Sequence, residues 1–326
     1  MLLAIGVFFF IPHLIGFHHV IELLTVANPI YLGLALVAET SRYFFSAGST
    51  IILARSFNRR VPLMPMTQAF LAGSAMNRIF STGGAPGMFV RVLFLGKEQI
   101  HAGTVAVIFL IEDVIGLVIG GAVLLVGILT VTNTLPTRLI AVDLAMASII
   151  ATPLLIGAGW VLYRHRPWVE RGVHGIARVI NRPVAWLFNS NIFSPEIVQE
   201  GLNDFYAGIL VARHHPWNIL GSFIMNVLRY FAGGAALYFS FNAMAFPVSL
   251  GALILIYTSA SLLSTMSAIP GEVAIMGTSF AILSFSFGVP NNIALTALLL
   301  SRATSFWLPI PIGLIAFGNL RRNHLL

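Results

Sequence analysis

Two arginine–tyrosine–phenylalanine triplets, Arg42-Tyr43-Phe44 and Arg229-Tyr230-Phe231, each sit inside an apolar run. A glycine-containing break follows each of them: Gly83-Gly84-Ala85-Pro86-Gly87 after the first, Pro270-Gly271-Glu272 after the second. Beyond each break lies an apolar stretch that holds charge, Glu112 and Asp113 in the first half and Arg302 in the second. A charge at the centre of a bilayer costs about 2.5–3.5 kcal/mol on insertion scales, so its default reading is a functional site. Two parallel sets of this kind point to a duplicated membrane machine with a polar site between its halves.

The residue types at that site suit an anion. A helix restarting near Gly87 would turn its first free N–H groups toward the middle of the membrane, a ready anion site. Arg91 stands one turn further on, and Asn77 and Arg78 close the opposite limb; together they would hold a phosphate. The plainer alternative is that Gly83, Gly84 and Gly87 permit close packing while Arg91 snorkels to the surface. Glu39 and Arg42 are three residues apart on one helical face and can neutralise each other. Glu112 and Asp113 point about 100° apart on a helix, so they form no acid–base dyad; one can face the cavity while the other pairs with a neighbouring arginine. Arg229 and Arg302 lack an acidic helical neighbour, and Glu272, at the start of a half-helix, can receive either. The alternative for all of these is a set of internal ion pairs that fix helix register. Arg42, Arg78, Arg91, Arg229 and Arg302 against Glu39, Glu112, Asp113 and Glu272 make a near-neutral cavity that leans toward an anion. A phospholipid or phosphorylated-lipid head group fits that balance better than a free metal ion. His18-His19 with Glu22, and His214-His215, sit at span ends and are weak metal signals. No P-loop, dinucleotide fingerprint, HExxH or nucleophile elbow occurs, and no cofactor is expected.

The surrounding elements must be membrane helices. Of 326 residues, 58% are hydrophobic and only 9% charged, which excludes an ordinary soluble domain. The net charge of +7 comes from basic residues at segment ends, where they set orientation; it is not a nucleic-acid footprint. With no cysteine there is no disulfide and no thiolate site. Apolar runs long enough to span are 30–54, 102–131, 139–163, 217–241 and 293–317, and Leu2–Phe17, without a basic n-region or cleavage site, reads as a retained helix. Two interrupted stretches, 65–95 around the first break and 248–287 around the second, read as re-entrant hairpins, because a broken backbone survives in lipid only where protein or water covers it. Arg55, Arg59, Arg60, Lys97, the arginines of 164–215, Arg321 and Arg322 all fall on one side if the first hairpin enters from the cytoplasm and the second from outside. The expected fold is an all-α polytopic membrane protein with about six spanning helices plus two re-entrant helical hairpins in inverted-topology repeats. One membrane domain, 1–326, would hold a first repeat at 30–131, a cytoplasmic amphipathic connector at 164–215 and a second repeat at 217–317. Ser194-Pro195-Glu196 starts a helix of that connector, with Trp168 and Trp186 as interfacial anchors.

Three stretches resemble the lysylphosphatidylglycerol synthetase transmembrane (flippase-like) family, which includes stand-alone UPF0104-type proteins. Asn77-Arg78 through Gly83-Gly84-Ala85-Pro86-Gly87 to Arg91 is similar to its N…PGG-x-G…R loop, and Glu112-Asp113-Val114-Ile115-Gly116 to its E-R-x-x-D helix. Pro270-Gly271-Glu272, Gly288-Val289-Pro290 and Arg302 with Trp307-Leu308-Pro309-Ile310-Pro311-Ile312-Gly313 resemble its C-terminal signature. Asp113 stands where the family usually has arginine, Gly116 where it has aspartate, and Glu272 at a glycine position. The resemblance implies two hairpin-containing inverted halves and a role in moving or handling a lipid with a polar head group. The expectation is a lipid translocase of the prokaryotic cytoplasmic membrane, both termini cytoplasmic, working on membrane lipids with anionic or zwitterionic head groups. The alternatives are an intramembrane enzyme acting on a lipid-linked sugar or phospholipid, and a non-catalytic subunit presenting lipid to a separate synthetase or glycosyltransferase. A homodimer is a further partner class.

Overall fold

The computed structural model of the chain describes residues 27–80, 84–131, 157, 164–175, 194–246, 248–266, 300–301 and 303–326. Outside them lie the first apolar run, the 139–163 run apart from Gly157, Trp186, Gly83, the Pro270-Gly271-Glu272 corner with its second limb, and Arg302.

Every regular element among the described residues is helical: α1 (Pro29–Arg55), α2 (Leu63–Phe80), α3 (Ala85–Lys97), α4 (Ala102–Val131), α5 (Pro195–Arg213), α6 (Pro216–Ala243), α7 (Leu250–Met266), a π-helical turn (Ala303–Trp307) and α8 (Pro309–Arg322). The starts follow local chemistry. The Asn28 side chain accepts the Ile30 N–H at 3.0 Å ahead of Pro29, and Ser194 caps α5 ahead of Pro195 and Glu196. Both satisfy an orphan donor, with proline where no N–H is needed. Gly84, at φ 88°, turns the chain into α3 in a left-handed conformation that costs glycine nothing.

The most extensive packing is between α1 and α6. They run antiparallel: the Asn28 N–H donates to the Ala243 carbonyl at 2.9 Å at one end, and Asn218 donates to Ser56 at 3.0 Å at the other. Small residues make the close approach possible. A methyl added at Gly48 would lie 3.1 Å from the Met225 sulfur, and one at Gly221 3.1 Å from Ile52. Between helices in lipid, such small-residue contacts and buried hydrogen bonds replace the missing hydrophobic drive. Polar side chains point inward accordingly: Glu39, Ser49, Thr50, Ser222, Asn226 and Ser240 are each 4% exposed or less, whereas Val37, Leu129, Phe231 and Ile315 are each 65% or more exposed. That inside-out distribution is what hydrocarbon as the surrounding solvent demands.

The offset that carries Arg42 onto Arg229 also carries Leu63, the first residue of α2, onto Leu250, the first of α7. The packing follows the same exchange. α2 lies against α8 and α7 against α4, so each half's interrupted limb leans on the other half's last helix.

One end of the bundle gathers the end of α1, the start of α2, the end of α3 and the tail of α8, through Leu53, Val61, Phe94, Leu95, Ile100 and Leu320 with Phe57, Leu325 and Leu326. Arg55, Arg59, Arg60, Lys97, Arg213, Arg321 and Arg322 all lie in segments at that end. The opposite end joins Ala27 and Ala243 to Leu300, and its described segments, 27–32, 127–131 and 241–250 (Pro247 aside), carry no charged residue. From the basic end, α2 runs inward and α3 returns beside it; at 1.5 Å per residue the 13 residues of α3 cover about 20 Å, less than half of the 30-residue α4.

The connector helix α5 packs along the first turns of α4, with Gly103 set against Gly201. Residues 166–175 form a helical segment over it: Val169 and Val173 cover Val198 and Leu202, and Arg166 bonds both Glu170 (2.8 Å) and Asn203 (2.5 Å). The Arg166 hydrogen bond holds the half-buried Glu170 carboxyl below its ordinary range. Trp168 is 64% exposed on the same segment.

Adjacent glycines of α6 give a matched test. A methyl at Gly233 would overlap the Tyr257 ring, whereas Gly234 has nothing within 4 Å. Gly233→Ala is expected to lower stability by about 1–3 kcal/mol through overpacking, and Gly234→Ala to leave it unchanged or raise it slightly. Unfolding midpoints in detergent check both.

Candidate functional site

The antiparallel α1–α6 pair brings the two triplets to one level, and Arg42 and Arg229 line the same cavity. Its volume is about 260 Å³. Glu39, Arg42, Tyr43 and Ser46 contribute from α1, Phe70, Ser74, Asn77 and Arg78 from α2, Gly84 from the corner, Gly87, Met88 and Arg91 from α3, and Arg229 from α6. The corner between α2 and α3 is thus one wall and the triplet helices are the other.

Each charge on these walls has a distinct standing. Glu39 is buried and takes both its hydrogen bonds from Arg42 Nη1, at 2.8 and 2.7 Å, the three-residue spacing on α1 placing them on one face. Arg42 also lies 5.9 Å from the Tyr257 ring of α7. Arg91 Nη2 is 2.6 Å from Glu112 Oε2, while Thr50 donates to Glu112 Oε1 at 2.5 Å. The Arg91 guanidinium is held between the rings of Phe70 and Phe109, 4.1 and 4.2 Å away. A planar cation clamped by two aromatic faces and a carboxylate is a positioned group that ties α3 to α4 and α1. Arg78 donates to Ser74 and, at 2.5 Å, to the Ser305 carbonyl in the π-helical turn, tying the corner to the last helix.

The start of α3 is less open than its glycines suggest. Asn77 Oδ1 accepts the Gly87 N–H at 2.6 Å and Pro86 has no N–H, so the first turn offers the ligand few donors. Gly73 and Gly87 meet backbone to backbone: a methyl on Gly73 would lie 2.8 Å from the Gly87 carbonyl oxygen. These glycines set the closeness of the two limbs.

Arg229 differs from the other arginines. It lines the cavity, its guanidinium makes no hydrogen bond or ion pair among the described residues, whereas Arg42 and Arg91 are bonded through their Nη atoms, and its ring contact is with its own neighbour Tyr230, 5.5 Å away. Asp113 lies off the cavity wall on the exposed side of α4, while Glu112 beside it is turned inward to Arg91. The structure therefore gathers Arg42, Asn77, Arg78, Gly84, Gly87, Arg91 and Arg229 around one space, with Glu112 behind Arg91. Sequence reasoning placed Tyr43 in the first triplet without giving it a role, and did not single out Ser74, Thr50, Phe70 or Phe109. Ser74, whose hydroxyl lies 3.1 Å from that of Tyr43, and Thr50 are small, common polar residues with no spacing signal, and a clamp of two phenylalanines from different helices is a tertiary fact.

The Arg91–Glu112 pair generates a stability prediction. Glu112→Gln or Arg91→Met alone leaves one charge unmatched and is expected to cost about 3–5 kcal/mol. The double variant is expected to cost less than the sum, the mark of direct coupling. Equilibrium unfolding in mixed micelles measures all three.

The family model described as lysylphosphatidylglycerol synthase TM region matches residues 1–313. The chain is similar to a UPF0104 membrane protein of Methanothermobacter thermautotrophicus, 27% identical over 270 residues that cover 81% of this chain and 75% of that protein. No solved structure matches it. An all-helical fold, an apolar exterior over a charged interior and a family match along nearly the whole chain agree: this is an integral membrane protein, and it belongs to the family of the lysylphosphatidylglycerol synthase transmembrane region.

Proposed function

We propose that this protein is a lipid translocase that moves a phospholipid, or another lipid bearing a phosphate and a polar head, between leaflets. The observation that carries the reading is Arg229, a cation that lines a cavity opposite Arg42 and makes no hydrogen bond or ion pair among the described residues, while Arg42 and Arg91 are each paired with a glutamate. A half-buried guanidinium without a counter-charge favours an anion, and its planar fork suits phosphate oxygens. The cavity of about 260 Å³ falls near the small end of ligand pockets, about 300–1,000 Å³, which suits a head group with its acyl chains left in lipid.

The two triplet-bearing halves act as inverted-topology repeats, with the basic end cytoplasmic by the positive-inside rule and the α2–α3 corner re-entering from that side. Shifts of one interrupted limb against the opposite half's last helix alternate access. Arg42, Arg78 and Arg91 shape the positive wall, and Arg229 takes the phosphate with Arg302 as a second candidate contact. The enzyme alternative is less favoured: Glu39 and Glu112 are both engaged by arginine, and the unpaired Asp113 does not line the cavity, so no free carboxylate among the described residues faces it as a general base.

Vesicles reconstituted with the protein and a head-group-labelled phosphatidylglycerol test this through access of an impermeant quencher to inner-leaflet label. The wild type is expected to expose the inner pool, Arg229→Gln to slow exposure at least tenfold, and Gly234→Ala to match the wild type. Unchanged exposure with wild-type protein, across phospholipids and polyprenyl-phosphate sugars, would falsify the proposal. A subunit that only presents lipid to a synthetase would also leave exposure unchanged.

A further inference from the structure

Glu39 and Glu112 are held by arginine, but Asp113 is not: no hydrogen bond or ion pair joins it among the described residues. It stands midway along Ala102–Gly127, one of two described helices long and apolar enough to cross a bilayer, and its side chain is exposed. An ionised carboxylate without donors at such depth is costly, and a neutral one is cheap, so proton binding is the available relief.

Two cations face it: Arg91, already paired with Glu112, and the unpartnered arginine of the cavity. Asp113 and Gly116 share a face of α4, three residues apart. A methyl added at Gly116 would lie 3.5 Å from Arg229 Nη2, and the Tyr230 hydroxyl donates to the Gly116 carbonyl at 3.1 Å. Arg229 thus lies against α4 at Gly116, one turn from Asp113. The charged groups facing Asp113 are Arg229 from α6, Arg91 from α3 and Glu112 on its own helix. Among the described residues the other neighbours of α4 bring no further charge there: α1 presents Thr50 to Glu112, α7 sets Ile254 and Leu255 against Gly127, and Asp204 of α5 meets the first turn at Gly103.

Arg229 therefore stands between two sites, the cavity on one side and Asp113 on the other. We propose that Asp113 is a proton-binding site coupled, through Arg229, to occupancy of the cavity by an anion. An anion in the cavity replaces Asp113 as counter-charge to Arg229; the carboxylate, left alone in a low dielectric, takes one proton from solvent. By reciprocity, protonation of Asp113 frees Arg229 and tightens anion binding. No bond other than O–H forms. This deepens the phosphate-lipid reading above, on which it rests, by naming the regulation of that site.

Calorimetry with dihexanoyl phosphatidylglycerol, run in two buffers of different ionisation heat, tests the coupling on the purified full chain. The wild type is expected to take up protons on binding and to bind at least fivefold more tightly at pH 6 than at pH 8, the low end of typical coupling. Asp113→Asn is expected to flatten both the pH slope and the buffer dependence, and Asp113→Glu to restore them. Wild-type binding with no proton uptake, or an unchanged slope in Asp113→Asn, overturns the inference and leaves the translocase reading standing. Should the wild type not bind the probe, that result counts against the phosphate-lipid reading alone. Infrared difference spectra then decide the proton site: a titrating carboxyl band lost in Asp113→Asn and displaced in pH by Arg229→Gln supports it, and a spectrum the same in all three proteins overturns it.

Discussion

Where α1 and α6 cross, the buried hydroxyls of Ser49 and Ser222 share a hydrogen bond of 2.8 Å, and Asn226 donates to Ser49 at 2.9 Å and to the Ser222 carbonyl at 3.0 Å. In hydrocarbon these groups have no water to fall back on, so the crossing is fixed in register as well as in orientation. That register sets the level at which each triplet meets the other helix. A slip of one turn would carry Arg229 past the cavity wall that Arg42 and the α2–α3 corner share. The function proposed for the molecule depends on this contact more than on any single cation.

Around that crossing the charges are arranged so that most are already matched. Arg42 closes on Glu39 within one helix; Arg91 closes on Glu112 between helices, with Thr50 and two phenylalanines completing its surroundings. Matched pairs at bilayer depth hold helices in place but bind nothing. A cavity with every cation so engaged would be a structural core. Arg229 and Asp113 are the departures among the described residues, and they lie on neighbouring helices. Fixed pairs make the frame, and the unlatched pair is left to respond to a ligand.

Much of the frame was legible in the sequence because it follows from one-dimensional rules. Asn28-Pro29 and Ser194-Pro195-Glu196 start helices where capping chemistry says they should. The apolar runs gave α1 and α6 within two residues of their ends, and the repeated triplet foretold a shared level for Arg42 and Arg229. The first interrupted stretch emerged as two limbs, slightly longer than read, because hydrogen bonding continues to Ala85 on one side and Lys97 on the other. What escaped reading was tertiary. Nothing in the one-dimensional pattern pairs Arg91 with Glu112, since their helices meet only after folding, and nothing assigns Asn77 to the Gly87 N–H, which closes much of the amide site that the glycine motif suggested. The π-helical turn at Ala303–Trp307 was read as plain helix; its cause is register, since its Ser305 carbonyl serves Arg78 from another half of the chain.

The chain contains no cysteine, so a pair introduced at the crossing reports on it without background. In native membranes, Ser49→Cys with Ser222→Cys should form a disulfide on mild oxidation, found by mass spectrometry as a linked pair of peptides from α1 and α6. Ser49→Cys with Ser240→Cys, at the far end of α6, should not. Linkage of the second pair in place of the first would mean that the helices run side by side in another register, and the shared cavity of Arg42 and Arg229 would not exist.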